Sequence, residues 1–191
     1  MEDFTKEINA YLQKEISVLT KLDTLELNRA INAIVVAWKC GANIYIMGNG
    51  GSAATASHFV CDFNKGISER AIKKFRLICL NDNIPIMTAI ANDFSYDEIF
   101  SYQLKGILKS EDLIVAISGS GNSKNIIRAV EYAKECGNKV IGITGYDGGK
   151  LKKMADYSMH VDVNDMQIAE DVHMMFDHMM MKILCEKLHC E

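Results

Sequence analysis

The sequence predicts an α/β fold: a three-layer sandwich in which a five-stranded parallel sheet is covered by helices on both faces. Two observations carry this expectation. From residue 43 onward, short apolar β-rich runs alternate with stretches of helical spacing, the pattern of right-handed βαβ units. Two of those runs end in glycine- and serine-rich turns, Gly48-Asn49-Gly50-Gly51-Ser52 and Ser118-Gly119-Ser120-Gly121-Asn122-Ser123. Ligands of open α/β sheets bind at that carboxyl edge.

The elements follow in order. From Phe4 to Cys40 the chain reads as two helices, with Ile8, Leu12, Ile16 and Leu19 at helical spacing, then Leu25, Leu27, Ile31, Ile34 and Val35. The break falls near Lys21-Leu22-Asp23-Thr24, where Asp23 or Thr24 could cap the second helix. The apolar faces of this pair suit docking on a sheet or on another subunit. A strand is expected over 43–47 and a helix over 52–64, then a strand over 75–80 and helices over 84–92 and 96–108. A third strand, 112–117, leads through the second turn into a helix over 123–136, which stops at Gly137. A fourth strand over 139–144, a short helix ending at Met154, a fifth strand over 157–163 and a long helix over 166–188 complete the chain. The whole of 1–191 is expected to form one domain: N-terminal helices to residue 40, an α/β core over 41–165, and the C-terminal helix.

Composition narrows the function classes. The 191 residues are 49% apolar and 24% charged, with a net charge of -4, which gives no reason to expect nucleic acid as a partner. No apolar run reaches membrane-spanning length. Met1-Glu2-Asp3-Phe4 is polar and acidic, unlike a signal peptide, so a cytoplasmic protein is expected. Six scattered cysteines without a C-x-x-C pair read as buried thiols of a reducing compartment.

The two turns point to an anion. Three glycines let the first adopt positive φ and leave backbone N–H groups uncovered, and Ser52 stands where a helix N-cap belongs. In the second, a phosphate could accept hydrogen bonds from Ser118, Ser120, Ser123 and the backbone N–H groups of a helix start. No lysine lies in the turn, so it is not of the Walker A type, and neither turn has dinucleotide-fold spacing. Neutral hydroxyls and amides suit a small phosphorylated ligand.

A series of short stretches now carries a resemblance. They are Gly48-Asn49-Gly50-Gly51-Ser52-Ala53-Ala54 with His58-Phe59, Ala91-Asn92-Asp93-Phe94 with Ile99-Phe100, Ile117-Ser118 with Ser120-Gly121-Asn122-Ser123, Thr144-Gly145 with Asp147-Gly148-Gly149, and Glu170-Asp171-Val172-His173 with His178. In this ordered set the sequence resembles the sugar isomerase (SIS) domains, specifically the phosphoheptose isomerase family, over nearly its full length. The resemblance implies a flavodoxin-like parallel sheet and a homotetramer with active sites between subunits. It implies conversion of sedoheptulose 7-phosphate to D-glycero-manno-heptose 7-phosphate, and zinc in some members. It further implies substrate contacts at Asn49, Gly50, Ser52, Asn92, Asp93, Ser118, Gly119, Ser120, Ser123 and Glu170, an acid/base pair at Asp62 and His178, and metal ligands at His58, Asp62, Glu170 and His178.

The chemistry fits these residue types. Aldose–ketose isomerisation moves a proton between adjacent carbons through an enediol and needs acid/base help at two oxygens. His58 and Asp62 lie four apart, on one helix face. Glu170, His173, Asp177 and His178 share the last helix. The sequence departs from the family pattern at Asp62, where the family has Glu, at Glu170, where it has Gln, and at Gly119, where it often has Thr. Glu170 and His178 are eight apart, about 12 Å along a straight helix, so one ion takes both only if the helix is irregular there or two subunits contribute; His173 is the alternative ligand. His160 and His189 read as structural, and Met174, Met175, Met179, Met180 and Met181 as packing. A rival reading is a non-catalytic module of the same fold, binding sugar phosphate or protein, that kept the turns and lost catalysis.

Overall fold

The computed structural model describes residues 2–69, 71 and 73–188; His189 and Cys190 lie outside them. Helices α1 (Thr5–Leu19) and α2 (Thr24–Cys40) come first. Asp23 caps α2, accepting from the Leu25 and Glu26 amides at 3.0 and 3.1 Å. There follow β1 (Ile44–Met47), α3 (Gly51–Cys61), β2 (Leu77–Cys79), α4 (Ile84–Asp93), α5 (Ser101–Leu104), β3 (Leu113–Ser118), α6 (Lys124–Glu135), β4 (Lys139–Thr144), α7 (Gly149–Met154), β5 (Tyr157–His160) and α8 (Met166–Lys187).

The five strands are parallel, in the order β2-β1-β3-β4-β5. Ile44 stands opposite both Leu77 and Leu113, and Ile141 opposite Tyr157. Strand order reverses at the β1/β3 pair, so a crevice opens beyond their carboxyl ends. Both glycine–serine turns lie there. Side chains alternate between two cores, as strand geometry requires. Ile44, Ile46, Leu113, Val115 and Ile117 face the layer built from α2, α3 and α8. Tyr45, Met47, Ile114 and Ala116 face the layer of α4 to α7. The expected three-layer sandwich is thus observed.

The differences from expectation have local causes. The strands expected over 75–80 and 157–163 shorten to Leu77–Cys79 and Tyr157–His160; β2 and β5 are the sheet edges and have a pairing partner on one side only. The helix expected over 96–108 divides into a 3-10 turn, Tyr96–Glu98, and α5. Glu98 is drawn back onto the Ser101 hydroxyl at 2.6 Å, with Arg128 and Lys105 also bonded to it. The Ser101 bond, reinforced by those two cations, holds its carboxyl down at about 2. Helix α3 ends at Cys61 but continues as a π-helical turn, Asp62–Ile67. Of the N-terminal pair, α2 packs on the sheet, whereas Ile8, Leu12 and Ile16 of α1 are 57%, 49% and 52% exposed.

One buried titratable group sits in the sheet-facing side of α8. His173 is 1% exposed, stacks on Phe176 with ring centroids 6.3 Å apart, and among the described residues makes no side-chain hydrogen bond within normal distance at either ring nitrogen. Burial pushes its pKa down to about 4. The unfolded chain therefore binds this proton at a higher pH than the folded chain, and stability is lost as pH falls from about 6.5 through about 4. The shift corresponds to on the order of 3 kcal/mol. His173→Leu, which removes only unpartnered nitrogens, should flatten that part of the stability–pH curve measured by urea unfolding. An unchanged slope between pH 6.5 and 4 would show that His173 titrates normally.

Candidate functional site

The first turn is held by side-chain amides. Asn81 accepts from the Gly48 amide at 3.2 Å and donates to the Gly48 carbonyl at 2.8 Å. Asn49 and Asn125 exchange two amide bonds, each 2.9 Å, and the Tyr96 hydroxyl donates to Asn49 Oδ1 at 3.0 Å. Asn125 is 2% exposed, so the pair ties the first turn to the first turn of α6. The N-cap of α3 is Gly50, with φ 54°, and not Ser52. Only glycine takes that conformation without strain. Displaced into the helix, Ser52 is buried and lines the crevice.

The second turn closes the other side. Ser118 and Ser123 hydroxyls lie 3.2 Å apart, and Ser120 Oγ accepts from the Asn122 amide at 3.3 Å. Ser123 occupies the N-cap of α6, but its hydroxyl makes no capping bond. Of the first amides of α6, that of Ile126 bonds to Asn125 Oδ1 at 2.9 Å, and none is capped by Ser123. Bonds from the Gly145 amide to the Gly119 carbonyl at 2.8 Å and from the Leu151 amide to the Gly121 carbonyl at 2.9 Å fix the turn to the next βα unit. Asn49, Ser52, Ser118, Gly119, Ser120, Ser123, Met166 and Glu170 line a cavity of about 160 Å³. A side chain at Gly119 would start 3.1 Å from the Met166 sulfur, so Met166 fills the space where the family often has Thr. A larger cavity of about 440 Å³ opens at the opposite, amino end of the strands, by Leu113, Lys139 and Tyr157, away from both turns.

Glu170 reaches this cavity over the start of α3: its two oxygens lie 2.7 and 2.8 Å from where a Gly51 Cβ would stand. A carboxylate at a helix N-terminus is stabilised by the uncovered amides and the dipole. Asn92 and Asp93, expected at the ligand, are exposed at the end of α4, bond to each other at 2.8 Å and do not line the cavity. That segment reaches the site through Tyr96.

A second constellation lies two helical turns along. His58, Asp62, Asp177 and His178 each place one ligand atom within 4.8 Å of the others. The two Nε2 atoms of His58 and His178 are 3.1 Å apart, and His58 Nε2 is 3.7 Å from Asp62 and 3.9 Å from Asp177. The expected set thus loses Glu170 and gains Asp177. The reason is helical register. His58 follows Gly51 by seven residues and Asp177 follows Glu170 by seven, each about 10.5 Å of rise. α3 and α8 run side by side in the same direction, Gly51 against Glu170 and His58 against Asp177. His173 lies outside the cluster, in the core. His160 bonds Thr144 at 2.9 Å, and burial lowers its pKa, as suits a structural residue.

Asp177 is completely buried, and neither oxygen has a hydrogen-bond partner. Burial first, and the Asp62 charge second, push its pKa up to about 7. A tetrahedral zinc ion holds nitrogen ligands about 3.3 Å apart, close to the imidazole separation. Two imidazoles, two carboxylates and an orphaned buried oxygen therefore fit such an ion. Sequence reading missed Asn125, a polar residue in the first turn of an otherwise apolar helix face; it named Asp177 among the groups of the last helix but gave it no place in the metal set.

The chain matches the SIS domain model over residues 3–145. It is 34% identical over 183 residues to the phosphoheptose isomerase of Aliarcobacter butzleri, covering 95% of this chain and 96% of that protein. It is 37% identical over 177 residues to a probable phosphoheptose isomerase of Thermoplasma acidophilum, covering 93% and 97%. The solved phosphoheptose isomerase of Neisseria gonorrhoeae superposes with a TM-score of 0.87 at 28% identity, over 95% of this chain and 98% of that one. With this fold, these turns and this range of likeness, the chain belongs to the SIS domain family and, within it, to the phosphoheptose isomerases.

Proposed function

We propose that this protein is an aldose–ketose isomerase that converts sedoheptulose 7-phosphate to D-glycero-manno-heptose 7-phosphate. The observation that carries this reading is the pairing of an uncapped, hydroxyl-lined helix start with an acid/base constellation two helical turns away. The phosphate sits at the start of α6, against Ser118, Ser120 and Ser123. Glu170 already occupies the start of α3, and its charge directs the phosphate to the other turn. The sugar runs from there toward His58 and His178, past Asn49, Gly50, Ser52 and Glu170, with Asn92 and Asp93 joining from the rim.

Asp62 removes a proton from C1 of the ketose and returns it to C2, while His178 moves a proton from O1 to O2. A zinc ion held by His58, Asp62 and His178 would, when bound, polarise the carbonyl as a Lewis acid. We also read the protein as a homotetramer with sites completed between subunits. The support is the exposed stripe of Ile8, Leu12 and Ile16 on α1. Of the cysteines expected as buried thiols, Cys79 is buried, whereas Cys40, Cys61 and Cys136 are exposed and Cys185 is intermediate; that they are free supports a cytoplasmic setting.

Three outcomes are expected. Ser118→Ala with Ser120→Ala should weaken sugar phosphate binding by about 1–3 kcal/mol, from lost bonds to a charged group; equal affinity by calorimetry would place the phosphate elsewhere. In heavy water, the wild type should give product bearing deuterium at C2, and Asp62→Asn should abolish turnover with little change in ligand affinity. Turnover by Asp62→Asn at the wild-type rate would remove Asp62 from the mechanism. An inert wild type that binds the ligand, with activity appearing in Asp62→Glu, would favour the non-catalytic reading. Finally, light scattering should report a tetramer that Ile8→Gln, Leu12→Gln and Ile16→Gln together dissociate; a wild-type monomer at micromolar concentration would refute the assembly.

A further inference from the structure

Asp177 takes no part in the proton transfers above, yet it is the most deeply placed group of the cluster. Its side chain is 0% exposed, and among the described residues both oxygens lack a hydrogen-bond partner. A buried carboxylate without compensation is strongly unfavourable, and native structures keep one only where a partner or a metal accounts for it. Asp177 Oδ2 points toward His58 Nε2, 3.9 Å away. His58 and His178 turn the same nitrogen, Nε2, toward one point, 3.1 Å apart. Asp62 approaches from the other helix, 3.7 Å from His58. Four donors from two helices thus converge with no cationic side chain among them.

We propose that Asp177 is the fourth protein ligand of a divalent metal ion of zinc's class, joining His58, Asp62 and His178 where the family pattern predicts Glu170. This rests on the metal reading given above. Geometry separates the two carboxylates. Glu170 lies seven residues before Asp177, about 10.5 Å along α8, and its oxygens are fixed over Gly51. Within one subunit, reaching the imidazoles would require α8 to unwind. Charge agrees with the assignment. Two aspartates and two neutral imidazoles balance a dication, and a mixed nitrogen and oxygen set suits zinc. The orphaned oxygens of Asp177 gain a partner, and Glu170 stays free to face the substrate.

The test is metal affinity, independent of turnover. Zinc bound by the intact protein is measured by competition with a chromogenic chelator and by elemental analysis, for the wild type, Asp177→Asn and Glu170→Gln. The wild type should take one zinc per chain. Asp177→Asn should lose affinity by about a hundredfold or more, since even outer-sphere partners of ligands cost about ten- to a hundredfold. Glu170→Gln should bind as the wild type does. Should Asp177→Asn fail to fold, as judged by near-ultraviolet circular dichroism, cobalt(II) loading of Asp177→Cys supplies the answer. A thiolate-to-cobalt charge-transfer band absent from the wild type and from Glu170→Cys is expected. Wild-type affinity in Asp177→Asn, loss of zinc in Glu170→Gln, or a charge-transfer band in Glu170→Cys alone overturns the assignment. A wild type that takes up neither zinc nor cobalt overturns the metal reading and Asp177's role together, while deuterium incorporation still reports separately on the isomerase.

Discussion

Gly51 has no side chain, and what α8 brings to the site depends on that. The Glu170 carboxylate fills the space a Cβ would take, with oxygens 2.7 and 2.8 Å from it. This close approach sets α8 against α3 in one register and one direction. Once Glu170 is opposite Gly51, the common rise of two helices puts Asp177 and His178 opposite His58, two turns on. The site therefore has two ends fixed by a single contact: a carboxylate beside the phosphate cavity and a histidine–aspartate cluster about 10.5 Å away. A larger residue at 51 would move both ends together.

The same contact divides two helix starts that look equivalent. Each of α3 and α6 begins beyond a central strand and lacks a side-chain cap. Either start attracts an anion. Glu170 places its charge over the start of α3, which leaves the start of α6, with Ser118, Ser120 and Ser123, the more favourable of the two for an anion. Among the described residues, the lining of the cavity contains no Lys or Arg. An anion there would meet oriented amides and hydroxyls, whose field is fixed by the fold and costs no reorganisation. The Asn49–Asn125 exchange holds the two turns at a constant separation.

Much of the fold was readable from the sequence because it depends on short-range patterning. Strand runs such as Leu113-Ile114-Val115-Ala116-Ile117, the two glycine turns and the cap at Asp23 are local features, and all are found in place. What failed to show depends on contacts far apart in sequence. Ser52 resembles a cap, but Gly50 can take a positive φ and does so first. Helical spacing over 96–108 could not register that Arg128, thirty residues from Glu98, pulls the segment into a tighter turn. In the site, His58, Asp62 and His178 followed from motif and spacing. Asp177 stood among the candidate groups of the last helix, but nothing local in a Met-rich helix shows that tertiary packing buries it completely beside His58.

The departure at Asp62 and the buried Asp177 make physical sense together. Asp is one methylene shorter than the Glu of the family pattern, a retreat on the order of 1 Å, enough to disturb a reacting geometry. Yet Asp62 comes within 3.7 Å of His58. It opens the π-helical turn Asp62–Ile67, where the backbone departs from the α-helical spiral that carries His58; such turns recur at functional sites. On the facing helix, Asp177 supplies a second short carboxylate at the same depth, burial and the Asp62 charge both raising its pKa. Two like charges that each raise the cost of the other are stable only with a shared proton or a shared cation. The two imidazoles turn the same nitrogen toward one point, as ligands of a shared cation would. The cluster is thus a unit, with one carboxylate shortened and another buried, both close to the same imidazole.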